Sequence, residues 1–232
     1  MDRLIAIGDI HGCYHTLTDL LKDVDYSSAK DTLVFVGDYI DRGNFSYEVV
    51  TILKKMQQQA GEDKVICLRG NHEQMAIDAF EHDYNKETEM LDIYGESTQI
   101  WFYNGGEATL QSFQKHGENL MSYIPWFKSL PLIYDTPEIL FCHAGLSKPM
   151  VKDNTENDIL WGRDWINTDA RCREKQVIFG HTPGNERLYT TKSGDICIDA
   201  GCVFGGRLCG LIIHENGKCN AAYVLKAEAD KT

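Results

Sequence analysis

Five prolines interrupt 232 residues, and no two of the eight cysteines stand in a Cys-x-x-Cys pair. The first scarcity argues against a polyproline or low-complexity chain, and the second against a zinc ribbon or a thioredoxin-like redox site. No apolar run approaches the ~20 residues of a membrane-spanning helix. Basic residues are outnumbered, with 23 Lys and Arg against 35 Asp and Glu and a formal charge of −12. That field repels nucleic acid and anionic lipid, so neither is an expected partner, and a phosphate-bearing ligand needs a local cationic cluster. Met1-Asp2-Arg3 runs directly into Leu4-Ile5-Ala6-Ile7 without a signal-peptide cleavage pattern, so the expected compartment is the cytoplasm. Internal repeats are also missing.

What is present is a globular composition, 43% hydrophobic and 25% charged, of a length that suits one domain over 1–232. Cys67, Cys142 and Cys197 lie in apolar, strand-like runs and read as buried free thiols. Three early segments share one grammar of apolar run, Gly-rich polar cluster and helical pattern. Leu4–Ile7 precedes Gly8-Asp9-Ile10-His11-Gly12, Leu33–Val36 precedes Gly37-Asp38, and Val65–Leu68 precedes Arg69-Gly70-Asn71-His72. Leu17, Leu20, Leu21 and Val24 mark one helical face; Val49, Val50, Leu53 and Met56 mark another. Strands alternating with helices predict βαβ units in an α/β fold, with the strand C-terminal ends gathered at one ligand-binding rim.

From about 81 to 130 the chain turns polar with interspersed aromatics and no convincing strand, and Thr98–Tyr103 and Ala108–Phe113 read as helices of an insertion. Trp101, Phe102, Tyr103, Trp126 and Phe127 read as core at helical spacing, and the acidic stretch from Glu81 to Asp92 as a solvated face. After Pro131, strands return at Ile139–Cys142, Val177–Phe179, Ile196–Ile198, Leu208–Ile213 and Ala221–Leu225, with turns at Ser193-Gly194-Asp195 and Glu215-Asn216-Gly217. Lys226 to Thr232 reads as a tail.

Asp9 and His11 alternate along what reads as an extended strand end, so both project to one side. Asp38 follows the second strand, Asn71 and His72 the third, His143 the Ile139–Cys142 strand and His181 the Val177–Phe179 strand. Carboxylates, an amide oxygen and imidazoles without a thiolate suit manganese, iron or zinc. A carboxylate such as Asp38 can bridge two ions about 3.5–4 Å apart, whose shared water becomes a nucleophile near neutral pH. Arg42, Arg69 and Arg163 supply planar donors that match phosphoryl oxygens. Taken singly, each residue has an ordinary structural explanation. Their joint placement at five strand ends points to phosphoryl transfer to water.

These motifs resemble those of the phosphoprotein phosphatase (PPP) family, within the calcineurin-like metallophosphoesterases. Gly8-Asp9-Ile10-His11-Gly12, Gly37-Asp38-Tyr39-Ile40-Asp41-Arg42-Gly43 and Arg69-Gly70-Asn71-His72-Glu73 are similar to its three signatures, and His143-Ala144-Gly145 and Gly180-His181-Thr182 to its later histidine motifs. Ala144-Gly145, where eukaryotic members usually carry Gly-Gly, and Leu160-Trp161-Gly162-Arg163-Asp164 resemble the bacterial or phage branch. The resemblance implies an α/β (α+β by some schemes) β-sandwich flanked by helices. It also implies one ion on Asp9, His11 and Asp38 and a second on Asp38, Asn71, His143 and His181, with manganese first and iron or zinc as alternatives. His72 would be the general acid oriented by Asp41, Arg42, Arg69 and Arg163 would clamp phosphate, and Asp199 would support the site.

The implied reaction is hydrolysis of phosphoserine, phosphothreonine or phosphotyrosine in a phosphoprotein or phosphopeptide by direct attack of a metal-bridging hydroxide, with no obligate regulatory subunit. The alternative enzyme is a symmetrical dinucleoside tetraphosphatase, against which Asp41-Arg42-Gly43 weighs. A non-catalytic scaffold has little support, because His72, Asp41 and all six ligands are present.

Overall fold

Alternation of side chains along each strand builds two layers of core from one set of strands. The computed structural model describes residues 3–164, 175–214 and 218–231. In chain order the first half holds β1 (Arg3–Ile7), α1 (Tyr14–Asp23), β2 (Asp31–Phe35), α2 (Ser46–Ala60), β3 (Val65–Cys67), α3 (Asn71–His82), β4 (Tyr84–Asn85), β5 (Met90–Leu91), α4 (Glu96–Tyr103), α5 (Gly106–Lys115) and α6 (Ile124–Ser129). The second half holds β6 (Ile133–Asp135), β7 (Ile139–Cys142), α7 (Glu156–Trp161), β8 (Gln176–Phe179), β9 (Tyr189–Thr190), β10 (Ile196–Cys197), β11 (Arg207–Ile213) and β12 (Cys219–Leu225).

One sheet runs β12-β11-β1-β2-β3, with β1, β2 and β3 parallel and β11 antiparallel to β1. The other runs β6-β7-β8-β10-β9, with β7, β8 and β10 parallel. Ile5, Ile7, Leu33, Phe35, Val65 and Cys67 face the helices, whereas Ala6, Val34, Val36 and Ile66 face Phe141, Ile178 and Ile198 of the second sheet. Leu140, Cys142, Val177 and Phe179 point to a third cluster with Ile159. The result is a β-sandwich covered by helices. The parallel strands leave the loops after β1, β2, β3, β7 and β8 at a common edge.

Both helical segments of the 81–130 region form, as α4 and α5, but the region also contains the β4–β5 hairpin. Two-residue strands are too short to leave an alternating pattern in sequence. The Ser193-Gly194-Asp195 turn joins β9 to β10, while 215–217 lie outside the described residues. The tail is anchored: Asp230 is buried and its carboxylate accepts from the Thr16 N–H at 2.7 Å and the Thr16 hydroxyl at 2.6 Å. Seven cysteines are free thiols, of which only Cys219 is exposed, and Cys172 lies outside the described residues. Among the described residues no helix is long and apolar enough to cross a membrane.

Candidate metal centre

The loops at that edge turn sharply. β1 ends at Ile7, and His11 has φ +46°, so Asp9 and His11 do not alternate along an extended strand. A left-handed turn, which residue periodicity does not report, aims His11 instead. Asp38, Asp41, Arg42 and His181 also have positive φ, at 55°, 73°, 67° and 68°. Such conformations cost on the order of 1 kcal/mol or more each and persist where surrounding structure enforces them. Part of that enforcement comes from Gly12, at φ +64°, where a Cβ would lie 2.6 Å from the Gly43 carbonyl oxygen. The loops after β1 and β2 therefore interlock, with the Ile10 and His11 N–H groups donating to the Asp38 carbonyl and the Gly12 N–H to that of Tyr39.

Asp38 is the centre of the arrangement. Its Oδ2 lies 3.4 Å from His11 Nε2 and its Oδ1 3.3 Å from His143 Nε2. The ligand atoms of His11, Asp38 and His72 close to within 4.8 Å of one another, as do those of Asp38, His143 and His181. Asn71 Oδ1 completes the second group, 2.8 Å from His143 Nε2 and 3.0 Å from His181 Nδ1. Asp9 is buried nearby but belongs to neither trio; its carboxylate accepts from the His181 backbone N–H at 2.9 Å.

A cation fits this donor set. His11 Nδ1 faces the Ile40 carbonyl at 2.8 Å and His143 Nδ1 faces the Val36 carbonyl at 2.9 Å. Each Nδ1 therefore carries the proton; in the neutral ring His143 Nε2 turns its lone pair toward Asp38, whereas His11 Nε2 accepts from Arg42 Nη1 at 2.6 Å with Asp38 Oδ2 beside it. His143 Nε2 meets only oxygen acceptors there, Asp38 and Asn71. A lone pair facing oxygens calls for a positive charge between them. Burial disfavours charged His143, yet Asp38 and Asp9 outweigh it and push the imidazole up to about 9.

The other titrations follow from burial against neighbours. Burial opposes ionisation of Asp38, but His143, His72 and His11 hold it well below the ordinary carboxylate range. Burial raises Asp9, with Asp199 adding to the effect, and lifts Asp199 itself to about 6. Burial lowers His11, with His72 adding to the effect, and lowers His181 to about 2.

Beside the cluster, His72 Nδ1 donates to Asp41 Oδ2 at 2.6 Å, which leaves His72 Nε2 3.9 Å from Asp38 Oδ2. Burial drives His72 down to about 4, with Asp38 pulling upward, and drives Asp41 up, with the Thr109 and Trp101 hydrogen bonds opposing. Arg42 reaches the site most directly, its Nη1 lying 2.6 Å from His11 Nε2 and its guanidinium carbon 5.2 Å from the Phe204 ring centroid. Arg69 is engaged at Nη1 by Gln74 Oε1 at 2.7 Å, and its buried Nε has no hydrogen-bond partner among the described residues. Arg163 is exposed two residues beyond α7, and its charge lowers His181.

Reading the sequence missed three residues of this site. Glu73, fully buried, accepts from the N–H groups of Asp38 at 3.0 Å, Tyr39 at 2.8 Å and Gly70 at 2.9 Å, which shapes the loop after β2. Burial, reinforced by Asp38, raises it to about 8. Trp101 and Thr109, from α4 and α5, donate to Asp41. Trp101 sat at a core spacing and is indeed core; only its indole nitrogen carries the second role. Glu73 alone had a signal, its place beside His72.

A β-sandwich whose loops focus histidines and an asparagine on one shared aspartate, with a His–Asp pair and an arginine alongside, defines a metallophosphoesterase. The calcineurin-like phosphoesterase family profile matches residues 2–214, and the chain belongs to that family of metal-binding hydrolases, whose centre is binuclear. It is 28% identical over 212 residues to serine/threonine-protein phosphatase 1 of Salmonella typhimurium, covering 88% of each chain. It is also 27% identical over 237 residues to an asymmetrical bis(5'-nucleosyl)-tetraphosphatase of Anoxybacillus flavithermus, again covering 88% of each. That relative is of the asymmetrical type, whereas the sequence suggested a symmetrical enzyme as the alternative. Among solved structures, one provisionally assigned as a diadenosine tetraphosphatase superposes with a TM-score of 0.68 at 23% identity, over 97% of this chain and 95% of that one.

Proposed function

We propose that this hydrolase is a protein phosphatase acting on phosphoserine and phosphothreonine monoesters, with phosphotyrosine as a further substrate. The observation that carries the reading is the His72–Asp41 pair, joined at 2.6 Å beside the shared Asp38. An alkoxide leaves poorly without a proton, and this pair is built to deliver one.

In this reading Asp9, His11 and Asp38 hold one divalent ion, and Asp38, Asn71, His143 and His181 the other, with manganese the preferred metal. When bound, the ions neutralise phosphoryl charge and acidify water. Asp38 spans the two positions because its oxygens face different imidazoles. Arg42, flanking His11, grips phosphoryl oxygens, with Arg69 and Arg163 completing the clamp. His72 keeps its Nδ1 proton on Asp41 and presents Nε2 to the leaving-group oxygen. Burial lowers His72 to about 4, with Asp38 opposing, and negative charge brought beside the imidazole favours its protonated form.

One observation favours a second reading. Phe204 is 66% exposed with its ring against Arg42, a surface on which a nucleobase could stack, and a tetraphosphatase is among the relatives. The test is hydrolysis after chelation and readdition of individual metals, on phosphoserine, phosphothreonine and phosphotyrosine peptides and on diadenosine tetraphosphate. Manganese-restored turnover with the highest kcat/KM on a phosphopeptide supports the phosphatase; a higher value on the dinucleotide replaces it with the tetraphosphatase.

A further inference from the structure

A fully buried indole N–H must find an acceptor inside the protein. Trp101 of α4 is 0% exposed, and its Nε1 reaches both oxygens of Asp41, at 3.0 Å from Oδ1 and 2.9 Å from Oδ2. Thr109 of α5 makes a second, directional contact. Its Oγ1 accepts the Asp41 backbone N–H at 2.8 Å, so its one hydrogen is free to donate to Asp41 Oδ1 at 2.6 Å. Ser46 Oγ stands 3.2 Å from the same hydroxyl. A third tie joins the helices to this loop: the Arg42 N–H donates to the carbonyl of Gly105, between α4 and α5.

Both oxygens of Asp41 thus accept from donors on α4 and α5, and Oδ2 also takes His72 Nδ1. A carboxylate that could rotate about its Cβ–Cγ bond would carry the imidazole with it. Two fixed donors remove that freedom and favour the carboxylate as hydrogen-bond acceptor, which keeps the His72 proton donor aimed through Nε2.

We propose that Trp101 and Thr109 are positioning residues for His72, and that the helices α4 and α5 serve the reaction by setting the acid rather than by contacting substrate. The inference rests on the reading of His72 as general acid. A purely structural role competes with it, because Trp101 also packs on Phe80 and Phe102 with centroids 6.2 and 5.8 Å away. That role predicts losses that ignore the chemistry of the leaving group.

The test compares Trp101→Phe, Thr109→Val and Thr109→Ser, each alone and in a His72→Asn background, with metal content measured alongside. On a phosphoserine peptide, whose alkoxide needs the proton, Trp101→Phe and Thr109→Val should each lower kcat about tenfold with KM little changed. On p-nitrophenyl phosphate, whose leaving group needs the proton less, the loss should be several times smaller. Thr109→Ser keeps the hydroxyl and should recover most of the lost rate. The downfield proton resonance of the His72 Nδ1–H should move in Thr109→Val and return in Thr109→Ser. With His72 already replaced, neither Trp101→Phe nor Thr109→Val should cost anything further.

Equal losses on both substrates, or a full tenfold loss persisting in the His72→Asn background, would overturn the positioning role while leaving His72 as the acid. If His72→Asn itself costs the same on both substrates, the acid assignment fails and this inference falls with it. Thr109→Val, nearly isosteric, keeps the question answerable should Trp101→Phe fail to fold.

Discussion

His143 Nε2 lies 3.3 Å from Asp38 Oδ1, and the opposite edge of the same imidazole is fastened to the Val36 carbonyl at 2.9 Å. The ring cannot turn its lone pair elsewhere, so Asp38 and His143 are held as a ready pair of ligands. With His11 on Oδ2, Asp38 is placed to serve two ions at once. Asp38→Asn removes the charge that makes such sharing worthwhile. It should reduce bound divalent metal from two ions per chain to one or none by elemental analysis, and two ions retained would reject the bridging role.

Glu73 sets the loop that presents Asp38. Its carboxylate takes the backbone N–H groups of Asp38, Tyr39 and Gly70, and more distantly that of Ile40, in a space sealed from water. Glu73→Gln directs an amide NH2 at one of these donors. The cost should be about 2–3 kcal/mol of stability and roughly 10- to 100-fold in metal affinity, read by denaturant unfolding and metal titration. Full metal affinity in a stably folded Glu73→Gln would show that Asp38 needs no such support.

The division between what could and could not be read from the sequence follows locality. The unbroken apolar runs Leu4–Ile7 and Leu33–Val36 report burial on two faces, and a Gly-rich cluster after each strand reports a loop at its end. Both signals sit within a few residues, so most strands, the helices and the gathering of polar side chains at the strand ends were legible, while the sandwich came from the resemblance of the motifs. The left-handed turn at His11 was not, because it is imposed by a second loop pressing on Gly12. Nor was the support of Asp41: Trp101 is 60 residues away, and its apolar spacing records that it is buried without recording which acceptor its nitrogen finds. The 81–130 region accordingly looked like packing material.

Asp31 and Arg3 make a bidentate pair at 2.8 and 2.7 Å, with Asp31 buried, at the start of the β1–β2 pairing. Burial pushes the Asp31 carboxyl upward, but the Arg3 hydrogen bonds and the Ser27 N–H outweigh it and hold it below the usual range. Because the folded value is depressed, the pair's stabilisation is complete above the unfolded value near 3.8 and disappears as pH falls through the lower folded value. Asp31→Asn should cost roughly 3 kcal/mol at pH 7 and make unfolding less steeply dependent on acid below about pH 4. Parallel stability curves for the two proteins through that range would remove Asp31 from the acid response.

The C-terminal segment closes the first helix. Cys13, at the N-cap of α1, offers no side-chain acceptor, and Asp230 stands in for it by accepting from the N–H groups of His15 at 3.2 Å and Thr16 at 2.7 Å. The Thr16 hydroxyl donates to the same carboxylate and accepts from the Ala227 N–H at 2.9 Å, so the tail is stitched in both directions. A negative charge at a helix N-terminus adds to the effect. Since α1 begins two residues after Gly12, loosening it also loosens the turn that aims His11. Asp230→Ala should cost about 1–2 kcal/mol, a fall in Tm of roughly 2–8 °C, whereas Asp230→Asn, which retains an acceptor oxygen, should cost less. Metal affinity should weaken in the same order, alanine more than asparagine. Unchanged melting on removal of residues 227–232 would mean that the tail only rests on α1 and that Thr16 finds its capping elsewhere.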